Sequence, residues 1–311
     1  MPHNNASRSS ESSASLTGVL PVVQLPYFED ETIDFTTLAR EVDWLLQRGA
    51  NGVTMAMVTE MLRLTTIERQ QVAAALCSQM QGRGDVIISV GAESSYAAVE
   101  FARHAEAAGA TAVMAISPVS IPPLADELRD YFRRIIASVA IPVIVQDASG
   151  YVGRPLGVAN MIRLLEEFGP ERVMFKPEAA PLGPQLSELR EASNSQARVF
   201  EGSGGIALLD NFRRGIVATM PGSDLIIAVV ALWRALKSSD DAAAYRISLP
   251  LSSLVALQTG LDGFLAVEKY LLVKQGVFLN EVVRGPVGFR LDRETKSEID
   301  RLFELTMQAV E

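Results

Sequence analysis

The sequence predicts a closed (β/α)8 barrel followed by a small helical extension. Between residue 18 and about residue 238, a short apolar run is followed by a segment with helical periodicity, and this unit occurs eight times. Continuous apolar strands that alternate with amphipathic helices are typical of a parallel sheet covered by helices. Eight units in roughly 220 residues fit a closed barrel. An open doubly wound sheet is the alternative, and it is disfavoured because no nucleotide-binding glycine motif follows any strand.

Each predicted strand is a short run dominated by Val, Ile, Leu, Met and Ala. Such runs carry no helical period and are too short for a core helix. In chain order, the predicted strands span Gly18–Leu25, Gly52–Met57, Asp85–Val90, Ala112–Ile116, Pro142–Val145, Val173–Lys176, Arg198–Glu201 and Ile216–Met220.

Each predicted helix places apolar residues three or four positions apart. In the first, Leu38, Val42 and Leu45 follow this period and Gly49 ends the helix. The second opens at a threonine and carries Glu68 in its first turn, where a carboxylate is favourable. The eight helices are predicted at Phe35–Arg48, Thr66–Met80, Ser95–Ala108, Ala125–Ser138, Gly157–Phe168, Pro184–Ser193, Ile206–Arg214 and Leu225–Leu236.

The domain organisation follows from where these patterns begin and end. Residues 1–15 are rich in Ser and Asn and contain no apolar segment, so we expect a disordered tail and not a secretory signal. The barrel is assigned to residues 16–238. Beyond it the strand pattern stops, and three helical segments assign residues 239–311 to the extension. These helices are predicted at Ala242–Gln258, Leu261–Gln275 and Arg293–Val310.

Composition excludes several classes of partner and site. The formal net charge is −9 and no basic stripe is present, which argues against a nucleic-acid partner. The longest apolar runs have strand length, so neither a membrane span nor a membrane partner is expected. Cys77 is the single cysteine, which rules out an internal disulfide and indicates a reducing, cytoplasmic setting.

The sequence offers few of the residues from which metal or nucleotide sites are built. The two histidines are His3, in the tail, and His104, in a helical segment, so zinc sites and Ser-His-Asp triads are not expected. No phosphate-binding loop of the GxxxxGK[ST] or GxGxxG type occurs. The glycine-rich segment from Gly202 to Gly205 is explained by a sharp turn between a strand and a helix.

Lys176 is the most informative residue, because it ends an apolar strand. The chain has five lysines, none of them before Lys176. An ammonium group is costly to bury, and loss of its proton gives the neutral amine that attacks carbonyl carbon. The alternative is a lysine that extends along the strand end to solvent.

Other polar residues follow the predicted strands, at the end of a (β/α)8 barrel where active sites lie. Any one of them could cap a helix or contact solvent. Together with Lys176, they indicate a site at one barrel mouth and make Lys176 a candidate Schiff-base former. They are Thr59, Glu60, Ser117, Ser120, Gln146, Asp147, Glu178, Glu201, Ser203 and Thr219.

Four segments resemble the dihydrodipicolinate synthase / N-acetylneuraminate lyase family, and the resemblance runs from about residue 18 to the end. GVTMAMVTEMLRLTTIER stands where that family has a strand, a GTTGE loop and the start of a helix. IPVIVQDASG stands where it has IPVxxYNxPxR, VMFKPE where it has the strand with the catalytic lysine, and GIVATMPG where it has a glycine-rich eighth strand. The resemblance implies a (β/α)8 barrel with C-terminal helices and a Schiff base on Lys176.

The chain departs from this family at several functional positions. The two loop threonines align with Met57 and Val58, and the proton-relay tyrosine aligns with Gln146. A second tyrosine, which the family lends across a dimer contact, falls at Val119–Ser120, and the family's arginine aligns with Tyr151 or a neighbour. These departures argue against dihydrodipicolinate synthase activity. The VQDA string, the acidic residue two positions after the lysine and the Thr59-Glu60 pair after the second strand are closer to a branch similar to 2-keto-3-deoxy-L-arabonate dehydratase.

The resemblance implies an enzyme that removes water from a 2-keto-3-deoxy sugar acid through a Lys176 imine, with Glu178 and Glu60 as acid and base. It implies no metal or organic cofactor, a small 2-oxo acid as substrate and a homotetramer or homodimer. The alternatives are a pyruvate-releasing aldolase, a dihydrodipicolinate synthase-like enzyme and a non-catalytic 2-oxo-acid-binding protein. The predicted substrate-binding residues are Val58, Thr59, Gln146, Asp147, Ser203 and Thr219.

Overall fold

Eight short parallel strands form the predicted barrel in a computed structural model whose described residues are 16–150 and 152–311. The predicted tail, residues 1–15, lies outside the described residues. The strands are β1 (Gly18–Val19), β2 (Gly52–Met55), β3 (Asp85–Ser89), β4 (Ala112–Ala115), β5 (Val143–Asp147), β6 (Val173–Pro177), β7 (Phe200–Glu201) and β8 (Ala218–Thr219).

Parallel pairing closes the strands into a ring. Strands β2 to β6 pair in chain order, and β8 pairs with both β7 and β1. The bridge between Val22 and Thr54 joins the first strand segment to β2, and the bridge between Phe175 and Val199 joins β6 to the β7 segment. This closure confirms the barrel and excludes the open doubly wound sheet.

The first strand is shorter than the sequence predicts. Its regular pairing covers two residues, although Leu20 and Val22 still donate backbone hydrogen bonds to the β8 segment and Val23 donates to Thr54. Pro21 interrupts the run and has no N–H to donate. The segment therefore remains extended between its two neighbours without forming a continuous ladder.

The helices follow the predicted order, with ends that differ by a few residues. They are α1 (Phe35–Gln47), α2 (Thr66–Met80), α3 (Ser95–Ala108), α4 (Ala125–Ser138), α5 (Val158–Phe168), α6 (Leu182–Ala192), α7 (Leu208–Arg213), α8 (Ile226–Lys237), α9 (Asp241–Val255), α10 (Gly260–Lys274) and α11 (Arg293–Val310).

Two of these ends show how the local sequence sets the boundary. The N-cap of α2 is Thr65, whose hydroxyl accepts a hydrogen bond from the backbone N–H of Glu68, while the Glu68 side chain accepts from Thr65. Helix α6 begins at Leu182, two residues before the predicted start, because proline is tolerated in the first turn of a helix and Pro184 lies there.

Alternating residues along each strand fill two separate apolar layers. On β6, Met174 packs inside the barrel, whereas Val173 and Phe175 pack in the layer between the strands and the helices. On β5, Ile144 lies inside and Val145 outside in the same way. Successive side chains on a strand point to opposite faces, so this alternation directs the residues that follow Met174 and Ile144 by two towards the barrel axis.

The last three helices lie after the barrel. Helices α9 and α11 pack against each other and against α8, and α10 contacts the 3-10 turn Met57–Thr59 that follows β2. Among the described residues, no single helix is long and apolar enough to cross a membrane; α9 and α10 pass that test only as a pair, with a bend of 116° between them.

Candidate active site

Lys176 lies at the C-terminal end of β6, two residues after the interior residue Met174. The register pairs it with Gln146 at the end of β5, two residues after the interior residue Ile144. Both side chains therefore point to the barrel axis at the mouth. Lys176 is buried, with 3% of its surface exposed, so it does not extend to solvent as the alternative interpretation of the sequence required.

Glu178 meets Lys176 at the same mouth. The Lys176 Nζ atom lies 3.0 Å from Glu178 Oε1, and Gln146 Nε2 donates a hydrogen bond to Glu178 Oε2. The strand continues through Pro177, and the Glu178 backbone N–H donates to the Asp147 carbonyl oxygen at 2.7 Å. The structure thus brings together three of the residues that the sequence predicts at the site, and it fixes the carboxylate between an ammonium and an amide.

Gly202, which follows β7, passes directly over this group. A Cβ atom at Gly202 would overlap the Lys176 Cε and Glu178 Oε1 atoms. The glycine is therefore required for close packing against the lysine, and the following Gly204 and Gly205 have the positive φ angles of the predicted sharp turn.

A cavity of about 390 Å³ opens at the barrel mouth above this group. Among the predicted site residues, Lys176, Glu178, Gln146, Ser203 and Val58 line it. Much of the remaining wall is apolar. These apolar residues are Val22, Ala56, Met57, Ala179, Ala180, Leu182, Ile206, Met220, Leu261 and Phe264.

Glu60 does not line the cavity, and its predicted place at the mouth is wrong. Its Oε1 atom accepts a hydrogen bond of 2.6 Å from Lys269 Nζ, and its Oε2 atom accepts one of 3.2 Å from the Arg284 backbone N–H. Glu60 has the left-handed backbone angle φ = 57° at the end of the 3-10 turn, which directs its side chain to α10. Its carboxylate is therefore committed to a buried ion pair.

Three predicted substrate-binding residues also lie outside the cavity wall. The Thr59 hydroxyl donates to the Val23 carbonyl oxygen at 2.7 Å and accepts from the Ala56 N–H, which closes the turn after β2. Asp147 accepts from the backbone N–H groups of Ser149 and Leu156, each at 3.1 Å, and so shapes the loop after β5.

Thr219 is the third residue outside the wall. Its hydroxyl donates to the Glu201 carboxylate, and both residues are buried where β7 pairs with β8. These three side chains support the mouth by bonding to the protein, since their polar groups are occupied there. The family arginine position, aligned with Tyr151, lies outside the described residues.

Glu268, on α10, lines the cavity and was not predicted as a site residue. It is 2% exposed, and Gln24 Nε2 donates a hydrogen bond to its Oε2 atom. Burial, reinforced by the neighbouring carboxyl groups of Asp224 and Glu41, raises the pKa of Glu268 well above its ordinary value. A sequence signal existed, because Glu268 and Lys269 interrupt an otherwise apolar segment of α10.

Asp224 and Glu41 complete a buried carboxyl cluster with Glu268. Burial raises the pKa of Asp224 to about 7 and that of Glu41 to about 8. Among the described residues, no group of three or more His, Cys, Asp or Glu is arranged to hold a metal ion. A raised pKa lets a carboxyl group keep its proton closer to neutral pH than an ordinary carboxyl group does, and of these three groups Glu268 lines the cavity.

The chain is similar to known proteins over the whole barrel and most of its extension. The model of the dihydrodipicolinate synthetase family matches residues 15–305. A 4-hydroxy-tetrahydrodipicolinate synthase of Chloroherpeton thalassium is 28% identical over 295 residues, which cover 92% of this chain and 93% of that protein.

Two further relatives differ in their stated activity. The L-2-keto-3-deoxyarabonate dehydratase of Azospirillum brasilense is 26% identical over 294 residues, which cover 91% of this chain and 92% of that protein. The crystal structure of dihydrodipicolinate synthase from Rhodopseudomonas palustris superimposes with a TM-score of 0.85 at 23% identity and covers 94% of this chain and 98% of that one.

Proposed function

This chain belongs to the dihydrodipicolinate synthetase family of Schiff-base lyases, and we propose that within this family it removes water from a 2-keto-3-deoxy sugar acid. The observation that carries the proposal is the contact of 3.0 Å between Lys176 Nζ and Glu178 Oε1 at the barrel mouth. In our proposal Lys176 Nζ forms the imine, and a carboxylate at this distance can act as its base. The likeness to a dehydratase over 91% of the chain supports the same activity.

The first step uses both members of this pair. Glu178 takes a proton from the Lys176 ammonium, and the neutral amine attacks the C2 carbonyl carbon of the substrate. Glu178 returns its proton to the carbonyl oxygen, which leaves as water, so a protonated imine remains and Glu178 is again a carboxylate. Its positive nitrogen withdraws electrons from C2, so a proton at C3 becomes removable.

The second step is the removal of that C3 proton. Glu178, two residues beyond Lys176 and held by Gln146, is positioned to accept it. The C3–H electron pair then forms the enamine. When the enamine returns its electrons, the C4–O bond breaks and the hydroxyl group leaves with a proton as water.

Gln146 favours this outcome over carbon–carbon cleavage. In the family to which the chain belongs, the sequence resemblance places a tyrosine relay at this position, and retro-aldol cleavage needs a base for the C4 hydroxyl. An amide has no proton to give or take near neutral pH. Gln146 therefore holds Glu178 in place instead of relaying a proton.

The substrate carboxylate has candidate partners on the same wall. Met57 and Val58 line the cavity at the start of a 3-10 turn, where the first backbone N–H groups have no partner within the turn. The Ser203 hydroxyl accepts from the Ala207 N–H at 3.0 Å, and its own proton can be donated into the cavity.

A pyruvate-releasing aldolase is the second candidate, because the apolar part of the cavity wall would also accommodate an aldehyde product. Leu182, Ile206, Leu261 and Phe264 lie around the same cavity. An aldehyde fragment with few hydroxyl groups would pack against these side chains, as would the less polar product of a dehydration. The wall therefore favours a short substrate with few hydroxyl groups in either case.

A panel of 2-keto-3-deoxy acids tests the proposal, beginning with 2-keto-3-deoxy-L-arabonate. Each reaction is analysed for pyruvate and for the dehydrated product, which for this acid is 2-oxoglutarate semialdehyde. We expect the dehydrated product and no stoichiometric pyruvate. Release of one pyruvate per substrate consumed would show an aldolase, and binding of every acid without turnover would show a 2-oxo-acid-binding protein.

A further inference from the structure

Helix α10 presents one polar side chain to the cavity beside two apolar ones. Leu261, Phe264 and Glu268 are spaced by three and four residues, so they share one face of the helix, and all three line the cavity. Glu268 is the one carboxyl group other than Glu178 among the described residues that line this cavity. The cavity thus contains two carboxyl groups from separate elements. The sequence predicted Glu60 and Glu178 in these two places, and the structure has Glu268 and Glu178.

The Glu268 carboxyl group lies directly over Gly222, which also lines the cavity. A Cβ atom at Gly222 would be 2.5 Å from Glu268 Oε1 and 2.8 Å from Asp224 Oδ1. Because Gln24 donates to Glu268 Oε2, Oε1 is the oxygen that can carry a proton. The structure therefore places the proton-bearing oxygen at the cavity wall, next to a second carboxyl group.

Among the described residues, no salt bridge involves Glu268, Asp224 or Glu41. The buried cation Lys269 forms its ion pair with Glu60 at 2.6 Å, and its charge lowers the pKa of Glu41 by less than burial raises it. Asp224 Oδ2 is buried without a hydrogen-bond partner among the described residues. Burial of unpaired carboxyl groups is unfavourable, and apolar residues of similar size would be more stable there. A cluster that weakens the fold and borders the cavity indicates a role in chemistry.

We propose that Glu268 is the proton donor to the hydroxyl group that leaves from C4 of the substrate. This inference rests on the dehydration proposed above and assigns the acid that it requires. Glu268 and Glu178 then have different roles because their environments differ. Glu178 bonds to an ammonium and an amide and acts as the base, while Glu268, among carboxyl groups, holds a proton.

The protons of the step balance between Glu178, Glu268 and solvent. Glu178 removes one proton from C3, and Glu268 gives one to the C4 oxygen as the C4–O bond breaks with its electron pair. One water molecule and the conjugated imine result. Glu268 is left as a carboxylate beside Asp224, which returns a proton to it. Glu178 releases its proton to solvent, and Asp224 regains one from solvent. Addition of water at C2 then frees Lys176 and an unsaturated 2-oxo acid, which for 2-keto-3-deoxy-L-arabonate is a tautomer of 2-oxoglutarate semialdehyde.

Two partial reactions separate this inference from the proposed function. Borohydride trapping with pyruvate reports imine formation by Lys176. Exchange of the pyruvate methyl protons for solvent deuterium reports removal of the C3 proton and needs no leaving group. Both are measured for the wild type, Glu268→Gln and Glu178→Gln, with Glu294→Gln as the matched control at an exposed position of α11. Dehydration is measured with the panel member that the wild type turns over fastest.

We expect Glu268→Gln to retain trapping and deuterium exchange within about twofold and to lose dehydration by about 10²- to 10⁴-fold, the usual contribution of a general acid. Glu178→Gln should lose deuterium exchange as well as dehydration. Dehydration at the wild-type rate in Glu268→Gln would overturn the inference, and so would loss of trapping and exchange together with dehydration. Failure of the wild type to trap pyruvate or to exchange its protons would instead overturn the proposed function.

Asp224→Asn provides a second test through the pH dependence of dehydration. It removes the carboxyl group beside Glu268, so Glu268 should ionise at lower pH and the basic limb of the pH–rate profile should move to lower pH. The pH dependence of deuterium exchange should keep its basic limb in place. An unchanged basic limb for dehydration would contradict the assignment of Glu268 as the acid.

Discussion

Glu60 and Lys269 form a buried ion pair of 2.6 Å between the turn after β2 and helix α10. Both side chains are almost completely inaccessible, and the Lys269 Nζ atom also donates to the Val282 carbonyl oxygen at 2.7 Å. Burial lowers the pKa of Lys269, and Glu60 opposes that shift by favouring the ammonium. The pair therefore joins the extension to the barrel without reaching the cavity.

The first prediction is that Glu60→Gln destabilises the protein and leaves its chemistry intact. The substitution leaves the buried Lys269 ammonium without its carboxylate partner, which typically lowers the free energy of unfolding by on the order of 3–5 kcal/mol. We expect a lower midpoint in urea unfolding, with pyruvate trapping per folded molecule close to that of the wild type. Glu294→Gln, at an exposed position, should change neither quantity. A Glu60→Gln protein of normal stability with turnover reduced 100-fold would restore Glu60 as a catalytic residue.

The sequence was sufficient to predict the barrel and the Lys176–Glu178 part of the site, because both depend on local periodicity. Alternation along β6 determines which face Lys176 occupies, and the same alternation places Glu178 beside it two residues later. Glu60 illustrates the limit. It follows a strand as Glu178 does, but a turn with φ = 57° directs it away from the axis, and no pattern in the sequence marks that angle.

Glu268 could not be placed from the sequence because its position depends on tertiary packing. Its partner Gln24 is 244 residues away along the chain, and α10 comes after the whole barrel in the sequence yet contacts the turn that follows β2. The rule that barrel active sites lie at strand ends does not predict a site residue on a helix of the extension, where Glu268 lies. The charged pair Glu268-Lys269 within an apolar helix was the available signal.

The second prediction concerns which buried lysine forms the imine. Lys176 and Lys269 are both buried, but only Lys176 lines the described part of the cavity, whereas Lys269 is paired with Glu60. Reduction with borohydride in the presence of pyruvate should add mass to the peptide that contains Lys176. Lys176→Arg keeps the charge and cannot form the imine, so it should show no adduct. An adduct on the Lys269 peptide would refute the assignment.

The third prediction is that the protein does not efficiently condense pyruvate with aspartate semialdehyde. Gln146 is bonded to Glu178, and its amide cannot relay protons as a phenol does. A coupled assay for dihydrodipicolinate should therefore show negligible turnover under conditions in which pyruvate is trapped on the enzyme. Robust turnover would mean that another group performs the relay.

The fourth prediction is that each active site is complete within one chain of the homo-oligomer that we expect. Lys176, Glu178, Ser203 and Glu268 all line the cavity from the same chain, and the position of the tyrosine that the family lends between chains falls at Val119–Ser120. Mixing Lys176→Arg with Glu268→Gln protein, followed by unfolding and refolding together, should give no recovery of dehydration. Recovery approaching about a quarter of the wild-type rate, the share of sites that random mixing would rebuild, would show that neighbouring chains share a site.

The fifth prediction is that the free energy of unfolding falls as the pH rises from about 5 to 8. Folding holds Asp224 protonated up to a pKa of about 7 and Glu41 up to about 8, and the pKa of Glu268 is raised as well. In the unfolded chain these carboxyl groups lose their protons near pH 4. Between the two pKa values the folded state binds more protons, so each group removes about 1.4 kcal/mol of stability per pH unit.

Glu268→Gln isolates the contribution of the cluster to this slope, because the amide resembles the protonated acid and does not titrate. The other charged groups that face α10 here, Lys269, Glu60 and Arg63, are the same in both proteins. Carboxylates whose pKa is lowered, such as Glu68 at about 2, affect stability below this range. The variant should therefore match the wild type near pH 5 and exceed it increasingly towards pH 8 in urea unfolding at fixed protein concentration. Parallel curves for the two proteins would show that Glu268 does not hold its proton in the folded state.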